Sequence, residues 1–121
     1  MSKLILIVDD DAVTREMAAE FASALEYDIM VYSNGEDALR VAGQVECDIV
    51  LTDYQLGVGR MNGLALAVNL AEQLADRPKV ILMNGRWFPE VEVGPQKPVS
   101  VLLQKPFTFA EFKRALLSVA A

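Results

Sequence analysis

The chain has 121 residues, 53% of them hydrophobic, and carries a net charge of −6 with an isoelectric point near 4.5. That length suits one domain over residues 1–121, large enough to bury a core without staples. The acidic balance argues against direct nucleic-acid binding. A single cysteine excludes an internal disulfide or a cysteine metal cluster, and the lack of histidine removes catalytic triads and histidine metal sites. No apolar run approaches the ~18 residues of a membrane span. The opening MSKLILIVDDD meets acids too soon for a signal peptide, so a cytoplasmic protein with no membrane partner is expected.

In chain order, five short runs rich in Ile, Val and Leu predict strands: Leu4–Val8, Asp28–Tyr32, Asp48–Thr52, Lys79–Met83 and Val99–Leu103. They mostly lack polar alternation, the pattern of parallel strands covered on both faces. Helical spacing separates them. Val13, Met17, Phe21 and Leu25 form one stripe, Leu66, Leu70 and Leu74 a second, and Phe109, Phe112, Leu116 and Val119 a third. Ser33 with Glu36, and Thr108 with Glu111, have the spacing of capping boxes, and Asp11 suits an N-cap. Residues 85–98 carry Gly85, Pro89, Gly94, Pro95 and Pro98, and Glu90-Val91-Glu92-Val93 alternates like a strand. A helix there is expected to be absent or short. The alternation of strands and helices predicts an α/β doubly wound fold.

Such folds bind ligands beyond the carboxyl ends of their strands, at the switch point in strand order. The first predicted strand runs into Asp9, Asp10 and Asp11, the third into Asp53, the fourth into Asn84, and the fifth into Gln104 and Lys105. In a sheet ordered 2-1-3-4-5 these ends meet. Clustered carboxylates need a proton or a cation to coexist. Oxygen ligands without His or Cys favour a hard ion such as Mg²⁺. With Lys105 to hold a phosphoryl oxygen, and a carboxylate as covalent acceptor, the chemistry indicated is phosphoryl transfer onto aspartate. The plainer alternative is a solvated acidic turn and an ordinary strand end. Cys47, Met30 and Met83 read as core filler, and Trp87 and Phe88 as lid or core residues.

LILIVDDD, SNGEDAL, DIVLTDYQL, MNG at 61–63 and QKPF at 104–107 together resemble the receiver domains of two-component response regulators, from Leu4 to Val119. The resemblance implies a flavodoxin-like five-stranded parallel sheet of order 2-1-3-4-5. It implies Asp53 as phosphoacceptor, Asp10 as a direct Mg²⁺ ligand, Asp9 acting mostly through metal-bound water, and the backbone carbonyl of Gln55 as a further ligand. Lys105 would bind the phosphoryl group, next to a cis Lys105–Pro106 bond. A histidine kinase or phosphotransfer protein would supply the phosphate, and a downstream effector or fused output domain would read it. The protein would be a switch and not an enzyme.

Four departures stand out. Asn84 replaces the family's Ser or Thr, Leu102 replaces its switch aromatic, the Asp53–Gly63 loop is longer than usual with Gly57 in place of a common proline, and residues 85–98 suit no regular helix. An adaptor of the same fold with weak or lost phosphorylation is therefore the second reading. A third takes VDDDAV as the D-x-D-x-[TV] signature of haloacid-dehalogenase-type phosphatases, with Asp9 as nucleophile and Asp11 as acid/base. No paired acids follow Lys105 to complete it.

Overall fold

The computed structural model describes residues 3–85 and 90–120. β1 (Leu4–Val8), β2 (Asp28–Tyr32), β3 (Ile49–Asp53), β4 (Lys79–Asn84) and β5 (Val101–Gln104) form one parallel sheet in the order β2-β1-β3-β4-β5. The helices among the described residues are α1 (Ala12–Ala24), α2 (Gly35–Ala42), α3 (Gly63–Gln73) and α4 (Phe109–Val119).

Strand side chains alternate between faces, which divides the core in two. Ile5, Ile7, Ile49, Leu51, Ile81, Met83 and Leu103 pack with Ala18 and Ala22 of α1 and Phe112 and Leu116 of α4. Leu6, Val8, Val50, Val80 and Leu82 pack with Ala38 and Ala42 of α2 and Leu66 and Leu70 of α3. The central strands β1, β3 and β4 are buried along almost their whole length, as their unbroken apolar runs predict. β2 lies at the edge and its Asp28 and Val31 are exposed, so that run is covered less fully than its composition suggests.

Local chemistry sets the helix starts. Asp11, Asn34, Asn62 and Thr108 each accept a bond from a backbone N–H in the first turn of α1, α2, α3 and α4. The Thr108–Glu111 capping box forms as predicted. The Ser33–Glu36 box does not. Asn34 caps α2 instead, accepting from Asp37 N at 2.8 Å, which leaves Glu36 for another contact. Val13 also departs from expectation: it is 74% exposed at the start of α1, while Met17, Phe21 and Leu25 are partly buried around the fully buried Ala18 and Ala22.

Between β4 and β5, residues 90–98 form no helix. Val93 bridges Val99, Gly94 N donates to Val99 O at 3.1 Å, and Lys97 pairs with Glu92 at 3.0 Å. Gly94 takes φ +153, a conformation that favours glycine. Pro89, Trp87 and Phe88 lie outside the described residues. No helix among those described is long and apolar enough to cross a membrane.

Candidate functional site

The parallel register brings the carboxyl ends of β1, β3, β4 and β5 level: Val8 pairs with Thr52, Asp53 with Met83, and Asn84 with Gln104. Asp9, Asp53 and Lys105 each continue the series of residues that faces α1 and α4, so they emerge on one side of the sheet. Lys105 Nζ donates to Asp9 Oδ2 at 3.0 Å and lies 3.5 Å from Asp53 Oδ2. Asp9, Asp10 and Asp53 each present a carboxylate oxygen, all within 4.8 Å of one another.

Asp9 is fully buried and held on every side. Its backbone N–H donates to Tyr32 O, its Oδ1 accepts from Asp11 N, and its carbonyl accepts from Arg15 Nη1 at 2.8 Å. Asp10 is exposed beside it. Asp53 is 9% exposed, and its Oδ1 accepts from Tyr54 N at 3.1 Å. Burial and the charge of Asp9 push the Asp53 carboxyl up to about 6, against the pull of Lys105. Burial works to lower the Lys105 ammonium, but the hydrogen bond and charge of Asp9, and then those of Asp53, outweigh it and raise its pKa.

Asp9 and Asp53 thus share the Lys105 ammonium, with the Asp10 carboxylate beside them. An all-oxygen set with excess negative charge, open on the Asp10 side, fits a hard divalent cation such as Mg²⁺. The sheet fixes Asp9 and Asp53, and the turn into α1 carries Asp10.

Asn84 O accepts from Lys105 N at 2.8 Å, so Asn84 sits beside the lysine through its backbone; its side-chain oxygen accepts from Gly85 N at 2.9 Å. Gln55 follows two residues after Asp53, with an exposed side chain. The Lys105–Pro106 bond is cis. Asp11 is not brought into the cluster as an acid: its carboxylate accepts from Thr14 N and Thr14 Oγ1, as an N-cap does. Leu102 is partly buried against the core.

Three supporting contacts lie outside the expectations drawn from the sequence. Arg15 supports Asp9, which no local motif marks. Glu36 accepts from Met61 N at 3.2 Å. Gly63 donates to Tyr54 O at 2.7 Å and lies so close to the Asp53 carbonyl that a methyl group would overlap it and press on Leu82. The MNG motif carries that last signal: glycine after an N-cap asparagine marks a close backbone approach.

Residues 5–117 match the model of the response regulator receiver domain. The chain belongs to that family. A receiver is a signalling domain and not an enzyme, which overturns the phosphatase reading of Asp9 and Asp11. Among curated proteins this receiver is 27% identical over 113 residues to the sensor histidine kinase RcsC of Salmonella typhi, covering 93% of this chain and 12% of that protein. It is 29% identical over 115 residues to the autoinducer 1 sensor kinase/phosphatase LuxN of Vibrio harveyi, covering 95% and 13%. The receiver therefore spans only a small part of these relatives' length. Solved structures share the fold. The chemotaxis response regulator CheY4 of Vibrio cholerae aligns with a TM-score of 0.83 at 21% identity, over 98% of this chain and 99% of that one. A response regulator receiver domain from Methylobacillus flagellatus gives 0.82 at 24%, over 98% and 99%.

Proposed function

We propose that this receiver is a phosphorylation-dependent switch, one unit over residues 1–121, that takes a phosphoryl group on Asp53. The observation that supports it is the Asp53 carboxylate, buried between Asp9 and Lys105 yet open toward Asp10. Asp9, Asp10, Asp53 and the Gln55 backbone carbonyl would hold Mg²⁺. The bound ion would offset charge on the phosphoryl oxygens and between the carboxylates.

An Asp53 carboxylate oxygen attacks the phosphorus. The new O–P bond forms as the bond to the donor breaks, either P–N of a partner's phosphohistidine or P–O of a small acyl phosphate. The leaving imidazole or carboxylate keeps the bonding electrons. Lys105 turns from Asp9 toward a phosphoryl oxygen, and the Asn84 amide donates to another. The added charge of about −1.5 to −2 then biases a two-state surface. The phosphate source would be a cytoplasmic histidine kinase or phosphotransfer protein, in keeping with the kinase relatives, and an effector or joined output domain would read the result.

A second reading, the adaptor with weakened switching, is favoured by Asn84 and Leu102. The Asn84 amide oxygen is engaged by Gly85 N, and Leu102 packs against the core where the family has an aromatic. Incubation with Mg²⁺ and a small phosphodonor, followed by intact mass measurement, separates the two. One phosphoryl group per chain, abolished by Asp53→Asn, is the result expected of the switch. No phosphoryl group on the wild type would leave the adaptor.

A further inference from the structure

The loop from Asp53 to Gly63 is long, and glycines at Gly57 (φ +106) and Gly59 (φ +75) make its turn. Inside it, Arg60 N donates to Gly57 O at 3.2 Å. A segment built this way has few bonds of its own to hold it, and it carries Gln55. What it rests on is the first turn of α2. Leu56 is buried, and a methyl group added to Gly35 would sit 3.4 Å from Leu56 Cδ1 and 3.3 Å from Met61 Sδ. Both ends of the loop therefore lie against the Gly35 backbone. The next residue, Glu36, grips the far end twice. One carboxylate oxygen accepts from Met61 N at 3.2 Å, and the other lies 3.8 Å from Arg60 Nη1. Met61 leads directly into Asn62, the cap of α3, and Gly63, which rests on the Asp53 carbonyl.

We propose that Glu36 is a positioning residue for the metal site: its carboxylate, clamping Met61 and Arg60, holds the Asp53–Gly63 loop so that the Gln55 carbonyl is ready for a divalent cation. The inference rests on the proposed metal role of that loop. Glu36 itself touches neither Asp9, Asp10 nor Asp53. Its contribution is to lower the ordering cost of the loop when the ion binds, as outer partners of metal ligands do. The bond to Met61 N carries more of the effect than the pair with Arg60, because exposed ion pairs at that distance contribute little.

Calorimetric Mg²⁺ titration of the full chain tests it, with amide exchange of residues 55–61 measured in parallel without metal. Glu36→Ala is expected to weaken Mg²⁺ binding about tenfold, the lower end of the effect of losing an outer partner of a metal ligand. Glu36→Gln keeps an acceptor for Met61 N and should lose no more than about twofold, as should Arg60→Ala. Exchange across the loop should rise in Glu36→Ala and not in Glu36→Gln. A merely structural role would lower thermal stability without moving Mg²⁺ affinity. Equal affinity in wild type and Glu36→Ala would overturn this inference alone. A wild type that binds no Mg²⁺ would overturn the metal reading and this inference with it.

Discussion

Two ends of neighbouring strands are built by opposite means. At the carboxyl ends of β1 and β3, local bonds are joined by ties to other strands and helices: Asp9 is held by Tyr32 and by Lys105, Tyr54 by Met83 and by Gly63. Between β4 and β5, the described residues hold one another over a few positions, Gly94 with Val99, Lys97 with Gly94 and Glu92. The first region is over-determined by the sheet, and displacing one member disturbs the rest. The second is a loop of mostly short-range bonds, laid on the core through Val91 and Val99 and tied to β4 where Ser100 N donates to Val80 O at 2.8 Å. A receiver can thus keep its acidic end fixed while the described residues of the connection between β4 and β5 form no helix.

The contrast is broken most severely at a glycine. Gly63→Ala would drive a methyl group into the Asp53 carbonyl and Leu82, and it should cost about 3 kcal/mol or more by denaturant unfolding and suppress labelling of Asp53. Gly85→Ala, with nothing within 4 Å of an added Cβ, should change stability by less than about 0.5 kcal/mol. Equal costs would mean that the two regions are equally constrained.

The next effect runs through charge. The folded Asp53 carboxyl keeps its proton up to about pH 6, whereas the unfolded chain releases it near 3.8, so the folded state binds more protons in that window. Stability in the absence of metal should fall as pH rises from about 4 to above 6, by on the order of 2–3 kcal/mol from this group. Asp53→Asn should remove that slope and be the more stable protein at pH 8. Chemical denaturation across pH 4–8 reads both, and a slope unchanged in the variant would place the buried charge elsewhere.

Metal binding sharpens the division inside the acidic triplet. Asp10→Ala deletes a proposed ligand and should weaken Mg²⁺ binding at least about tenfold. Asp11→Ala removes the cap of α1 and should leave affinity unchanged while lowering helix stability. Equal losses in a titration would mean that the register of the acidic residues is misassigned. Smallest of all, Lys97→Ala breaks the exposed pair with Glu92 and should cost no more than about 0.5 kcal/mol, with no effect on labelling.

What was legible in the sequence follows the same division. β1 matches its apolar run residue for residue, because burial on both faces leaves a continuous pattern. The convergence of Asp9, Asp10, Asp53 and Lys105 was legible because polar residues closing apolar strands mark the functional end of such sheets. β3 begins one residue later than its run suggests; Asp48, just before it, ties the start of the sheet, its side chain accepting from Leu4 N and its backbone bonding Leu4 and Lys79. The cap of α2 was misplaced by one because Ser33 and Asn34 are nearly equal as caps; Asn34 meets Asp37 through both its amide oxygen and its amide nitrogen, and Glu36 is taken by Met61 N. Arg15 and Gly63 act through tertiary approach to Asp9 and Asp53, and periodicity carries no trace of that.

The central claim is that Asp53, and neither acid at the end of β1, accepts the phosphoryl group. Reductive trapping of the acyl phosphate after reaction with Mg²⁺ and a small phosphodonor, followed by tandem mass spectrometry, tests it most directly. A single modified site at Asp53, and none at Asp9 or Asp10, is the expected result. Modification at Asp9 or Asp10, or undiminished labelling of Asp53→Asn, would contradict it.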